Sequence, residues 1–532
     1  MKESLICFVL GASICMLDGA EVYNEPFRPQ FHFSPAKNWT NDPNGLVFYK
    51  GEYHLFYQYN PVGDTWGHMS WGHAVSADLV HWKHLPVALA EENGEMIFSG
   101  SAVVDWRNSS GLCRNPDPRE PSCMIAIYTG NSDHQSQSLA FSNDRGRTWT
   151  KYKGNPVIDL GLRDFRDPKV FWYEPNRRWV MVVALPADHK VRFFGSSDLK
   201  RWTALSDFGP AGATSGAWEC PDLFRLPVDG GQTRWVLSVN INPGGFAGGS
   251  GNQYFVGQFD GTRFTNDNPA SQTLWADYGK DFYASQSYSD IPSQDGRRIW
   301  LGWFSNWQYA NKEPTHPWRC GQSIPRVLRL KRIGNSIRLA QEPVAELASL
   351  RGEHLHIGPA DVHEANLRLR GFQSDTYELS TEIETSGEAG FKLRKGTSEE
   401  TLAGYNAKRA EVFIDRTRSG LVDFSADFPG RHAGPAVSAA HRIKLYILVD
   451  RSSVELFAND GETVISDRVF PSAASNGLEV YALGGSARVI SLDLWKLKPA
   501  WLPSTASARR GSVKRRKLSR DQRERVRHAN DG

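Results

Sequence analysis

The sequence predicts an all-β protein, a β-propeller followed by a β-sandwich. Three observations carry that prediction. Short runs of strand character crowd the region before Arg351, among them Gly51–Tyr59, Met124–Thr129, Arg178–Ala184 and Arg298–Trp303, and sustained helical periodicity is scarce. A turn pattern recurs as Ser76-Ala77-Asp78-Leu79-Val80-His81-Trp82, Ser142-Asn143-Asp144-Arg145-Gly146-Arg147-Thr148-Trp149 and Ser197-Asp198-Leu199-Lys200-Arg201-Trp202. A weaker copy spans Phe259-Asp260-Gly261-Thr262-Arg263-Phe264. After Arg351 the runs begin to alternate apolar and polar residues.

In the first region each copy of the turn follows a short apolar strand and ends on an aromatic that opens the next. The tryptophans step by 67 and 53 residues, a loose period of the size expected for four-stranded blades. Counting copies gives three or four blades. In the second region Tyr377–Ile383, Glu411–Ile414, Ile443–Val449 and Ser453–Ala458 read as half-buried strands. Asn459-Asp460-Gly461 is a hairpin signal. The patterning places the propeller at 25–343, the sandwich at 358–497 and a basic tail at 500–532.

The chain of 532 residues is comfortable for two domains, and its 18 Trp, 17 Tyr and 27 Phe accompany 48 Gly. Such aromatics fill β cores and also offer flat apolar faces to sugar rings. The net charge of +3 conceals a division: residues 501–532 hold ten Lys/Arg against three Asp/Glu, which leaves the body mildly acidic. A tail of that composition lacks apolar residues to pack, so neither a nucleic-acid nor a membrane partner is expected. Lys2, the apolar stretch Leu5–Leu17 and the small residues Gly19 and Ala20 resemble a signal peptide over 1–20. The apolar run is too short to span a bilayer, and secretion is expected. Beyond that leader four cysteines remain. Cys113 and Cys123 flank a Pro-rich loop, either as a disulfide or as two thiols. No Cys/His spacing matches a zinc site, and no metal or cofactor is expected.

Three acids stand in unusual settings. Asp42 lies in Trp39-Thr40-Asn41-Asp42-Pro43-Asn44-Gly45, where turn amides are its expected partners. Asp167 lies in Phe165-Arg166-Asp167-Pro168 and Glu219 in Trp218-Glu219-Cys220-Pro221-Asp222. An apolar setting favours a protonated Glu219, as a general acid requires. Cleavage of a glycosidic bond needs one carboxylate to attack and one carboxyl to protonate the leaving oxygen. A propeller brings residues from different blades to one end of its axis.

Together the Asn-Asp-Pro-Asn-Gly, Arg-Asp-Pro and Glu-Cys motifs resemble glycoside hydrolase family 32. That family holds invertases, inulinases, levanases and fructan exohydrolases. The resemblance covers nearly all of 25–500 and is nearest to bacterial-type levanases. It extends through Arg28-Pro29-Gln30-Phe31-His32-Phe33, His54-Leu55-Phe56-Tyr57-Gln58-Tyr59, Phe98-Ser99-Gly100-Ser101 and Ser305-Asn306-Trp307-Gln308-Tyr309. It implies a five-bladed propeller carrying the site, with a β-sandwich behind it. It implies Asp42 as nucleophile, Glu219 as acid/base and Asp167 as transition-state stabiliser. Arg166 would orient carboxylates, and Asn41, Gln58, Trp66, Phe98, Ser99 and Trp307 would line a terminal fructose pocket. The implied activity is secreted, retaining, exo-acting hydrolysis of terminal β-fructosyl units from sucrose, inulin or levan. A fructosyltransferase and an inactive fructan-binding propeller are the alternatives.

Three features depart from the family pattern. Thr40 replaces the usual Met and creates a formal glycosylation sequon, Asn38-Trp39-Thr40, expected to be unused beside the nucleophile. Asn108-Ser109-Ser110 is the better-placed sequon. Cys320-Gly321 after Pro317-Trp318-Arg319 is also unusual, and bears on the acceptor side.

Overall fold

A computed structural model of the chain describes residues 23–114, 122–438 and 441–501. The signal-like segment 1–20 and the basic residues beyond 501 lie outside the described residues. Five antiparallel sheets follow one another from Asn38 to Pro343. Their first strands are Asn38–Tyr49, Met96–Asp105, Arg166–Tyr173, Ala217–Pro227 and Tyr283–Ser287. Each packs against the first strand of the next sheet, and the fifth packs back onto the first, so five blades close a ring. The segment Trp318–Arg319 pairs in parallel with Asn38 and Trp39, which ties the last blade to the first. This is where Cys320 falls: buried behind the closure, with Gly321 so close to Phe33 O that a Cβ would sit 2.7 Å from it.

The repeated turn joins the third and fourth strands of blades one to four. Asp78, Asp144, Asp198 and Asp260 each accept from backbone N–H groups two to four residues on, as at Val80, Thr148, Lys200 and Thr262. Ser76, Ser142 and Ser196, two residues earlier, donate to the first three of these aspartates. The fifth blade turns instead between Ile333 and Ser336, with Gly334 at φ 57°. A two-residue hairpin needs no aspartate, so the turn motif undercounts the blades by one.

The second domain begins at Arg351, ahead of the 358 that patterning predicts. Strand Arg351–Ile357 pairs with the final strand Ala487–Leu497 across the whole sequence of the domain. Seven strands form one sheet and five the other. Leu379, Ile447 and Leu494 from the first face Phe391, Val412 and Val480 from the second. Asn459, Asp460 and Gly461 take φ of 49°, 58° and 81° in the predicted hairpin. A helix, Val362–Leu369, is capped by Asp361, whose side chain accepts from Glu364 N.

The seam between the domains is polar yet buried. Arg326 of the fifth blade donates to Asp277 at 3.0 Å, to Ser466 at 2.6 Å and to Glu455 of the sandwich. Arg416 of the sandwich donates to Asp281 at 2.6 Å and to Tyr309 at 3.0 Å. His32, ahead of the first blade, bridges Asp450 and Glu455 at 2.8 Å each. Burial opposes protonation of His32, but the two carboxylates outweigh it and hold its pKa above the ordinary value.

A raised imidazole pKa stabilises the fold fully below about pH 6.5, and the contribution fades as pH rises through the folded-state value. His32→Gln is therefore expected to lower the unfolding temperature, through a loss of about 3–5 kcal/mol for a broken buried pair. Calorimetry should show the gap to the parent shrinking as pH rises above about 6.5. A gap that widens as pH rises would contradict the assignment.

Candidate active site

Each inner strand breaks register near its start. The breaks lie between Thr40 and Pro43, Ile97 and Gly100, Arg166 and Lys169, Glu219 and Asp222, and Tyr283 and Gln286. A bulge opposes two residues to one and re-aims their side chains. Pro43, Pro168 and Pro221 sit in three of these breaks, where the ladder lacks a bond and no N–H is missed. Asp167, Cys220 and Ala284 take left-handed φ of 65°, 45° and 53°, each costing on the order of 1–3 kcal/mol. Asp42 is thus a strand residue at a bulge rather than a turn residue, and its partners are side chains rather than turn amides.

Those bulges bring the three acids together. Ser99 Oγ donates to Asp42 Oδ2 at 2.6 Å, and Asn41 Nδ2 donates to Asp42 Oδ1 at 3.0 Å. Trp39 Nε1 in turn holds Asn41 Oδ1 at 2.8 Å. Cys220 lies between two acids: its Sγ is 3.4 Å from Asp42 Oδ2 and 3.5 Å from Asp167 Oδ2, which also accepts from Cys220 N at 2.8 Å. Asp167 Oδ1 takes no hydrogen bond from the described residues. Arg166 donates to Glu219 Oε1 at 2.9 and 3.2 Å, with Nε 4.0 Å from Asp167. Tyr283 of the fifth blade donates to Glu219 Oε2.

The apolar setting read around Glu219 belongs to its neighbour. Trp218 turns into the core between blades, against Phe255, while Glu219 meets Arg166 and Tyr283. Asp167 is pushed up to about 7 by burial, with Arg166 opposing and Glu219 and Asp42 adding. Burial also raises Asp42, against the hydrogen bonds from Ser99 and Asn41. Burial and the neighbouring carboxylates push the Cys220 thiol far up, so it stays a neutral donor.

The remaining predicted residues divide. Phe98 and Trp307 pack on the cluster of Trp39, Cys220, Tyr283 and Trp303. Trp307 stacks on Trp39 with centroids 5.8 Å apart. Trp66 is 42 % exposed and meets Phe98 edge to face at 6.2 Å. Gln58 is buried, and its amide nitrogen is spent on Ile97 O at 3.0 Å; among the described residues its side chain makes no hydrogen bond to the acids. Sequence reading missed Tyr283 and the bridging role of Cys220. Position at the fifth bulge is the only signal Tyr283 carries, and it is visible once the blades are aligned. Thr40 is buried with its hydroxyl on Gln58 O, while Asn108 is half-buried with its carboxamide hydrogen-bonded to the Cys113 backbone.

Several carboxyl groups converging within aromatic walls on a propeller axis define a class, the glycoside hydrolases. Residues 32–343 match the glycosyl hydrolases family 32 N-terminal domain, and residues 346–496 match the family's C-terminal domain. The chain is 52% identical over 494 residues to a levanase of Bacillus subtilis, covering 90% of this chain and 72% of that protein. It is 40% identical over 534 residues to an extracellular exo-inulinase of Aspergillus niger, covering 92% and 98%. The crystal structure of exo-inulinase from Aspergillus awamori superposes with a TM-score of 0.83 at 38% identity, covering 90% of this chain and 100% of that one. The chain belongs to glycosyl hydrolases family 32.

Removing a hydrogen bond to a charged group costs about 1.5–3 kcal/mol, or about ten- to a hundredfold in rate when the bond is kept in the transition state. Tyr283→Phe is expected to lower kcat by that factor with the fold intact by circular dichroism. An unchanged kcat would show that Tyr283 does not position Glu219.

Proposed function

We propose that the protein is a secreted, retaining, exo-acting β-fructofuranosidase that releases terminal fructose from sucrose and fructans. The observation that supports this most is the meeting of Asp42, Asp167 and Glu219 around Cys220 and Arg166. Asp42 attacks the anomeric carbon while Glu219 gives its proton to the departing oxygen. Glu219 then takes a proton from water, which displaces Asp42 and frees fructose; one water is consumed and both acids return to their starting states. Asp167, with Oδ1 unengaged by any donor among the described residues, accepts fructose hydroxyls. Asn41, Ser99, Trp66, Phe98, Trp307 and Gln58 line the pocket, Gln58 from behind. The Cys113–Cys123 disulfide suits an oxidising compartment, and no described helix is long and apolar enough to cross a membrane.

The purified protein is expected to release fructose from sucrose, inulin and levan without early fructan oligomers, as resolved by chromatography. Early oligomers would point to endo-cleavage. Asp42→Asn should abolish turnover while retaining fructan binding, and undiminished activity would defeat the assignment. Attack requires ionised Asp42, and burial raises the pKa of Asp42 and Asp167. The acid limb of kcat/KM is therefore expected above the ordinary aspartate range of about 4. A limb at or below that value would contradict the burial.

A further inference from the structure

A second cavity of ≈ 510 Å³ opens at the other end of the propeller axis, within the range of about 300–1,000 Å³ of small-molecule sites. It is not the active site seen from below. Arg166 and Asp167 start the third inner strand, and Trp172 lies near its end. At about 3.3 Å per residue that is about 17 Å away. Between the two ends, the buried Lys169 Nζ donates to Ser287 O at 2.5 Å and pairs with Asp222 at 3.4 Å, which plugs the axis.

The cavity carries a fixed flat ring beside a fixed carboxylate. Trp106 is 50 % exposed. Its Nε1 donates to Asp290 Oδ1 at 2.8 Å, and Val104 N donates to Asp290 Oδ2 at 2.9 Å. Arg298 uses Nη1 on Tyr288 O at 2.9 Å and lies 5.6 Å over the Phe224 ring, and it makes no other hydrogen bond among the described residues. Trp172 and Trp179, which also line the cavity, form an edge-to-face pair with 5.2 Å between centroids.

Two of the four cations on this wall are committed. Lys169 is spent on Asp222, and Arg107 lies over Trp172 at 4.7 Å and pairs with Glu174 at 3.5 Å. Asp290 repels an anion. What remains is a rigid apolar face, a carboxylate that accepts and two guanidiniums that donate, those of Arg298 and of Arg225, whose Nε alone is on Thr233 Oγ1 at 2.9 Å; together they suit a neutral ring with C–H faces and many hydroxyls.

We infer that this far-end cavity is a second carbohydrate site that holds a distant part of a fructan chain, with Trp106 as platform and Asp290 and Arg298 as hydroxyl partners. The inference rests on the fructan reading of the active site for its choice of ligand. A polymer held at both ends of the axis gains effective concentration at the catalytic mouth. Sucrose, which is too short to span, gains nothing.

The test is titration calorimetry of the full-length Asp42→Asn variant with an inulin-type tetrasaccharide. Two equivalents are expected per chain, and Trp106→Ala in the same background should remove one of them. In the otherwise unaltered enzyme, Trp106→Ala should raise KM for long inulin by about tenfold, the worth of one aromatic platform, and leave kcat/KM for sucrose unchanged. Unchanged sucrose turnover also certifies the fold of that variant. A single equivalent in Asp42→Asn, or two that survive Trp106→Ala, overturns the inference; Asp290→Asn provides the same readout should Trp106→Ala not fold. Failure of the fructosidase reading is distinguishable, because it would appear as no fructose released from sucrose by the parent enzyme.

Discussion

Five strands converge on one axis, and none could place a side chain there while keeping its ladder intact. An unbroken strand sends alternate residues to its two faces, into the packing between blades. The register break in each inner strand is what turns Asp42, Ser99, Asp167, Cys220 and Tyr283 inward at one level. Prolines in three breaks and left-handed backbone in three residues are consequences of that demand. The strain is sustained because both flanks of every break are regular antiparallel ladder, and the ring of blades prevents any one strand from relaxing alone.

The same economy governs the acids. Burial, with their mutual proximity adding to it, raises the pKa of Asp42 and Asp167, and the neutral thiol of Cys220, the hydroxyl of Ser99 and the guanidinium of Arg166 are the counterweights. The sandwich does not reach these acids through the contacts described. It acts through Arg326, Arg416 and His32, whose buried pairs hold the fifth blade and the segment before the first. Those are the two ends of the ring, the places where a five-bladed closure would otherwise open.

Much of the fold was legible because local chemistry repeats. The aspartate-capped turns announce blades one to four, with a serine two residues ahead in the first three, since an aspartate that caps its own turn leaves a sequence trace. The fifth was hidden because a two-residue turn at Gly334 does the same job without one. The sandwich start was misplaced because Arg351–Ile357 is an exposed edge segment whose partner, Ala487–Leu497, is remote in sequence. At the site, the acids were visible through their Asp-Pro and Glu-Cys-Pro contexts. Their surroundings were not: Trp218 adjoins Glu219 in sequence and leaves it in space, while Tyr283, 64 residues on, meets it. Neighbours along a strand point to opposite sides, so sequence adjacency is a poor guide to the environment of a titrating group.

The central claim is that Asp42 is the group aimed at the sugar, with Glu219 and Asp167 serving it. Trapping the covalent intermediate tests this most directly. A Glu219→Gln variant, given a β-fructofuranoside with an aryl leaving group that departs without acid assistance, is expected to accumulate a fructosyl-enzyme. Peptide mass mapping after rapid acid quench should find the added fructosyl unit on the peptide containing Asp42. A fructosyl unit on Asp167, or turnover with inverted configuration and no adduct, would contradict the account.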